Sequence, residues 1–244
     1  MRSFVCYVSA KRLALVPLVS VSILLRLVGT ASAGLIEEVA EVPVQVVDID
    51  GRFIRHQITV TIFRDDSRTP SPFLILNHGR AGRESDRIKL GRARYSDNAA
   101  YFVSEGFAVF VPTRVGYGVT GGPDVENAGN CQTRDYRPVF EAAARQNMQV
   151  IRYAKTLSYV DPTKGLVVGQ SFGGATAIAL ASKNIPGVFG AVNFAGGSGG
   201  NPDQHPERPC RDDLLSELFS SYAATARIPT LWLYSENDRY WGRI

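Results

Sequence analysis

The chain has 244 residues, 45% of them hydrophobic and 20% charged, with a formal net charge of +4. That length and apolar share suit one domain with a sizeable core, and no internal repeat or low-complexity tract argues otherwise. The whole charge surplus, Arg2, Lys11, Arg12 and Arg26, falls in the first 33 residues and leaves 23 bases against 23 acids beyond them, which removes the electrostatic argument for nucleic acid or an anionic membrane as partner.

Residues 1–33 read as a secretory signal peptide. Arg2, Lys11 and Arg12 give a positive start, residues 13–25 are an apolar core broken by Pro17, and Ala31-Ser32-Ala33 supplies the small residues that a signal peptidase accepts. A short membrane anchor is the alternative, but an apolar run broken by Pro17 and followed by Arg26 is too short to span well. Cys6 precedes the apolar core and is lost with it. The expectation is an exported protein, periplasmic or secreted, with no stable membrane anchor after cleavage. Cys131 and Cys210 remain, an even pair that reads as a candidate disulfide in an oxidising compartment; two free thiols are the alternative. The bridge closes a loop of roughly 80 residues, for which the chain-entropy model gives about 4–5 kcal/mol.

Residues 44–49 and 54–63 roughly alternate apolar and polar side chains and meet through Asp50-Gly51, a hairpin-turn pair. Pro43, just ahead of the first run, suits a strand's start or an edge. Residues 72–77 (PFLILN) form a nearly continuous apolar run, the pattern of a strand buried on both faces, and end in His78-Gly79-Arg80. Residues 97–105 predict an amphipathic helix closed by Gly106, and 107–112 predict the next buried strand. A polar, glycine-rich excursion over 119–136 reads as part of a lid. Residues 137–157 carry Val139, Ala142, Met148, Ile151 and Ala154 at helical spacing.

Residues 165–182 read GLVVGQSFGGATAIALAS. A short apolar run enters Gly169-Gln170-Ser171-Phe172-Gly173, and an alanine-rich segment of good helix formers leaves it. G-x-S-x-G arises by chance in a chain with 23 glycines, but the strand before and the helix after are the context in which it has mechanical meaning. A serine at so tight an apex needs glycine two residues either side, and the helix N-terminus behind it favours a developing negative charge. Beyond it, 188–194 predicts a strand, 212–225 a helix, and 228–234 (IPTLWLY) a further buried strand that runs into Ser235-Glu236-Asn237-Asp238.

Carried by these residues, the stretch from about 72 to 240 resembles the α/β-hydrolase superfamily and, within it, the dienelactone-hydrolase-like esterase branch. The resemblance implies a three-layer α/β sandwich on a mostly parallel sheet, with 34–244 as the hydrolase domain. It implies Ser171 as nucleophile, the backbone N–H groups of Phe172 and Arg80 as oxyanion hole, and Asp238 as the acid, with Glu236 the alternative carboxylate. Arg114-Val115-Gly116-Tyr117-Gly118 is similar to the R-x-G-Y-G loop of the superfamily; its glycines read as structural and Tyr117 as a candidate wall of the acyl pocket. The implied chemistry is hydrolysis of a small-molecule carboxylic ester through an acyl-enzyme, with no metal and no cofactor. A serine peptidase or acyltransferase of the same fold is the alternative, and a non-catalytic binding protein on a hydrolase scaffold the rival of another class. Dienelactone hydrolase proper carries cysteine at the elbow, so its own activity is not implied here.

One part of the pattern is missing. The resembled order is serine, acid, histidine, and only six residues, none of them histidine, follow Asp238. His56 lies in the hairpin and reads as a surface residue, His78 as a structural turn residue, and His205 sits in a loop from which a relocated base is conceivable. Leu231, Trp232 and Leu233 are apolar in succession, so both faces of their strand expect cover. The expectation is a domain incomplete at its C-terminus, lacking a last strand and helix.

Overall fold

The structure, a computed structural model, describes residues 34–203 and 205–241, so the expected signal peptide lies outside the described residues. Strands β1 (Leu35–Val47) and β2 (Phe53–Asp65) form the expected hairpin, antiparallel from Leu35↔Asp65 to Val47↔Phe53. Asp48 closes its turn, accepting from the backbone N–H groups of Asp50 and Arg52 and from the Arg52 side chain. β1 starts well before the alternating run and so holds Pro43 inside it, opposite Gln57. Proline is tolerated there because β1 is an edge strand with β2 as its one neighbour.

Strands β3 (Ser71–Asn77), β4 (Ala108–Pro112), β5 (Val160–Gln170), β6 (Val188–Phe194) and β7 (Thr230–Leu233) complete the sheet in the order β1-β2-β4-β3-β5-β6-β7. From β4 through β3, β5 and β6 to β7 every pairing is parallel, and the hairpin joins through antiparallel β2 and β4. Five helices complete the described elements: α1 (Glu84–Lys89), α2 (Ser96–Ser104), α3 (Arg137–Ala154), α4 (Phe172–Ala181) and α5 (Asp212–Thr225). The short α1 has no counterpart in the sequence pattern, because six residues give too few turns for periodicity to register.

Successive side chains of a strand point to opposite faces, and here they feed two cores. Phe73, Ile75, Phe110 and Val167 join the core beneath α3, α4 and α5; Leu74, Leu76, Val109 and Val168 join a smaller core with Ala99 and Val103 of α2. That is why 72–77 reads as an unbroken apolar run. All ten residues of α4 are buried, as a helix apolar on every side requires.

At the far edge, Trp232 of β7 turns to Phe219 of α5, ring centroids 5.1 Å apart. Leu231 and Leu233 lie 53% and 40% exposed. The cover expected on both faces of this strand is therefore present on one, among the described residues. The 119–136 excursion differs from the expected lid. Val125, Glu126, Ala128 and Tyr136 are buried, so it is a fixed wall of the body. Cys131 and Cys210 are disulfide-bonded, Cα atoms 5.5 Å apart, and tie that wall to the loop after β6. Among the described residues no helix is long and apolar enough to cross a membrane.

Candidate active site

The C-terminal ends of β3, β5 and β6 converge on Ser171. Its backbone has φ 55° and ψ −125°, outside the regions that L-residues favour, and its N–H donates to the Phe194 carbonyl at 2.9 Å. Strain of this kind persists only where the surroundings over-determine it. Here the turn is clamped: a Cβ on Gly173 would strike the carbonyl oxygens of Asn77 and His78, and one on Gly169 the backbone of Gly173. The serine is partly exposed, at the start of a helix whose first N–H groups have no partner within it.

The end of β3 lies directly against this turn. A Cβ on Gly79 would sit 3.3 Å from the Ser171 Cβ and 2.9 Å from Gln170 Oε1. The two candidate oxyanion donors, the N–H groups of Arg80 and Phe172, face no protein acceptor among the described residues. The Arg80 side chain turns away and forms a two-pronged ion pair with Asp124, both bonds 2.7 Å, while Arg87 approaches the same carboxylate at 3.2 Å. Burial alone raises the Asp124 pKa, but Arg80 and Arg87 outweigh it and hold the carboxyl below its usual value.

Beneath the loop is a second, fully enclosed pair. Arg114 and Glu126 have no side-chain exposure and meet at 2.5 Å (Nε to Oε1) and 3.2 Å (Nη2 to Oε2). Tyr117 donates its hydroxyl to Glu126 Oε2 at 2.7 Å and is itself buried, so it belongs to this network and does not wall an acyl pocket. Burial pulls the Arg114 pKa down, and the Glu126 carboxylate more than restores it. The sequence reading gave neither Arg114 nor Glu126 a role. The available signal was an arginine directly after an apolar strand and Thr113, a place where a buried charge needs a carboxylate partner.

None of the three histidines reaches Ser171. His78 is buried at 1% exposure; its Nε2 accepts from the Arg114 backbone N–H at 3.2 Å and its Nδ1 lies 2.7 Å from the Gly79 carbonyl. That pattern assigns a neutral ring with the proton on Nδ1. Burial, then the charge of Arg114, holds its pKa well below 6.5. His56, half-buried, has Nε2 2.8 Å from the Thr120 carbonyl and anchors the wall. His205 is exposed in a turn whose backbone closes on Asn201.

Asp238 lies in the turn after β7. Its Oδ1 accepts from the backbone N–H groups of Tyr240 at 2.8 Å and Trp241 at 3.2 Å. Trp241 in turn donates Nε1–H to the Ala195 carbonyl at 2.8 Å, and Gly197 N–H donates to the Ser171 carbonyl at 3.2 Å. Ser171 and, through Trp241, Asp238 are thus tied to the same loop, 195–197, and among the described residues no imidazole is hydrogen-bonded to either side chain. Glu236 is exposed. On the other side Tyr136 donates to the Cys210 carbonyl, stacks on Phe140 with centroids 6.1 Å apart, and Phe140 meets the Phe172 ring at 4.8 Å. Burial pushes the Tyr136 phenol up to about 12, which keeps it a donor at neutral pH.

A cavity of about 510 Å³ opens beside the elbow, walled by Tyr101, Phe102, Val168, Gln170 and Phe194. A larger one, about 890 Å³, lies between α5, Trp232, Trp241 and residues 206–209, with none of the candidate catalytic groups in its wall. Proximity to Ser171 makes the smaller one relevant to the site. Among the described residues no three histidine, cysteine or acidic side chains gather as metal donors.

Comparison with known proteins gives the same architecture. The chain is similar to an acetyl xylan esterase from Paenibacillus sp. R4, with a TM-score of 0.51 at 16% identity, covering 82% of this chain and 73% of that one. It is similar to a dienelactone hydrolase-like promiscuous phosphotriesterase from metagenomic libraries, TM-score 0.50 at 16% identity, covering 82% of each. Against esterase Est22 the TM-score is 0.45 at 18% identity; the match covers 71% of this chain and spans about half, 48%, of that longer one. No curated protein matches. The model of the dienelactone hydrolase family matches residues 89–239, from the end of α1 through Ser171 to Asp238. The chain belongs to the dienelactone hydrolase family.

Proposed function

We propose that this protein is a serine hydrolase of small-molecule carboxylic esters. Ser171 Oγ bonds to the ester carbonyl carbon, the oxyanion is received by the N–H groups of Phe172 and Arg80, and the alkoxide leaves with the serine's proton. The observation that carries this reading is Ser171 at positive φ on a clamped turn, beside two N–H groups that have no protein acceptor among the described residues. Asp238 has the part of the carboxylate that orients a base. The disulfide and the composition of residues 1–33 support export, with 34–244 as the hydrolase domain.

A second reading, a binding protein on a hydrolase scaffold, is favoured by one observation: no imidazole contacts Ser171. The two separate in a pre-steady-state assay with p-nitrophenyl acetate and butyrate. The hydrolase reading expects a burst of about one p-nitrophenolate per chain, then slow turnover, because water must attack the acyl-enzyme without a base. Ser171→Ala loses the burst, and His205→Ala keeps it. Folded protein with no burst above Ser171→Ala overturns the hydrolase reading for this chain, and the binding reading then requires a ligand that the folded chain retains.

A further inference from the structure

The Arg114–Glu126 pair has no side-chain exposure at either partner, and no step above uses it. A fully enclosed ion pair is no better for stability than apolar side chains of the same volume, so its contacts hold the clue to its use. Arg114 Nη1 donates to the His78 carbonyl at 2.8 Å, and Nη2 approaches the Gly79 carbonyl at 3.4 Å. The same Gly79 oxygen receives Nδ1–H of His78 at 2.7 Å. Gly79 C=O and Arg80 N–H belong to one peptide plane, and in a trans peptide they point in opposite directions. Two donors behind the carbonyl therefore turn the N–H to the opposite side and polarise it.

The guanidinium also reaches the other half of the hole. Its central carbon lies 5.5 Å from the centroid of the Phe172 ring, whose other neighbour is Phe140. Glu126 fixes the guanidinium by two prongs, and Tyr117 fixes Glu126. One buried cation thus touches the Gly79 carbonyl, which shares a peptide plane with the Arg80 N–H, and the ring of Phe172. We propose that Arg114, held by Glu126, is the positioning residue of the oxyanion hole, setting the Gly79–Arg80 peptide through the carbonyls behind it and Phe172 through its ring. This rests on the reading of Ser171 as nucleophile.

The test is the rate at which a fluorophosphonate labels Ser171, followed by intact mass. The Oγ–P bond forms, the P–F bond breaks, fluoride leaves, and the serine proton goes to solvent. Its phosphoryl oxygen needs the same two N–H donors. Arg114→Lys keeps the charge but not the fork, and Arg114→Met removes both. Each is expected to slow the limiting labelling rate by about 10²–10³-fold, the worth of one donor, with the half-saturating probe concentration unchanged. Val46→Ala, a core truncation in the edge strand β1, controls for lost stability and labels at the wild-type rate. If neither Arg114 variant folds, Glu126→Gln, which keeps the shape and removes the charge, is expected to slow labelling about tenfold and to shift the Arg80 amide proton upfield by NMR.

Folded Arg114 or Glu126 variants that label at the wild-type rate overturn the positioning role alone. A wild-type protein that the probe leaves unlabelled overturns the nucleophile reading, and the positioning role with it.

Discussion

The imidazole of His78 sits one residue from the oxyanion loop, yet both its nitrogens are engaged inside the protein. A buried ring held neutral has a definite consequence for stability. The unfolded chain takes up a proton on this histidine near its ordinary value of 6.5, and the folded chain does not, because burial and Arg114 hold the pKa well below that. Below pH 6.5 the unfolded state binds more protons, so stability falls as pH drops; above it both states are neutral and this contribution is flat. Chemical unfolding is expected to show a slope approaching about 1.4 kcal/mol per pH unit below pH 6.5. His78→Asn, which keeps a donor near the Nδ1 position, is expected to flatten that slope while lowering stability at pH 7. An unchanged slope in His78→Asn places the proton elsewhere. Asp124 acts in a lower window: its pKa is depressed, so its contribution is present above 3.8 and lost as pH falls below it. Residue identity alone revealed the strained serine, because G-x-S-x-G carries its own geometry. It did not reveal Arg114, whose role depends on which carbonyls lie within reach of its long side chain, a matter of tertiary contact.

At the scale of elements, the elbow is a meeting of three backbones, β3, β5 and α4, closer than side chains permit. The Asn77 and His78 carbonyls occupy the space where a Gly173 Cβ would stand. Gly173→Ala is therefore expected to destabilise the fold by about 1–3 kcal/mol, the usual result of forcing an atom into a packed interior. It is also expected to slow fluorophosphonate labelling, because the displaced segment leads into Arg80. Gly82→Ala, where nothing lies within 4 Å of the new Cβ, is expected to change stability by less than about 0.5 kcal/mol. Equal effects at the two positions, measured by thermal melts and labelling rates, contradict this account of the elbow. Elements were legible where period and punctuation agreed: α5 and β6 match the residues predicted. β1 extends beyond its alternating run because its first half carries Glu37, Glu38 and Glu41, two of them adjacent, which breaks the alternation but is tolerated on an edge strand. The 119–136 excursion was misread because its polarity is satisfied internally: Glu126 faces Arg114, and Thr120 donates to the Thr113 carbonyl at 2.6 Å. Polar composition indicates solvent only when no buried partner waits.

Across the whole molecule, the site is assembled from segments far apart in the chain, and what holds them in register is partly covalent. The wall at 119–136 comes between β4 and α3, and the loop after β6 carries the contacts to Ser171 and Trp241. Each depends on the other through the Cys131–Cys210 bridge, the Tyr136 to Cys210 hydrogen bond and the Cys210 N–H to Gly199 carbonyl bond of 3.0 Å. A bridge between residues 79 apart restricts the unfolded chain over a large loop. Removing it with Cys131→Ala and Cys210→Ala together is expected to lower the unfolding free energy by about 4–5 kcal/mol. The same loss has a local side. With the bridge gone, Tyr136 holds the backbone carbonyl at position 210 by one hydrogen bond, and the stack from Tyr136 through Phe140 to Phe172 loses its outer restraint. Fluorophosphonate labelling of Ser171 in the double variant is expected to slow at temperatures well below its melting point, while far-ultraviolet circular dichroism stays native. Labelling that tracks global unfolding alone, with no loss in the folded baseline, restricts the bridge to a stabilising role and detaches it from the site.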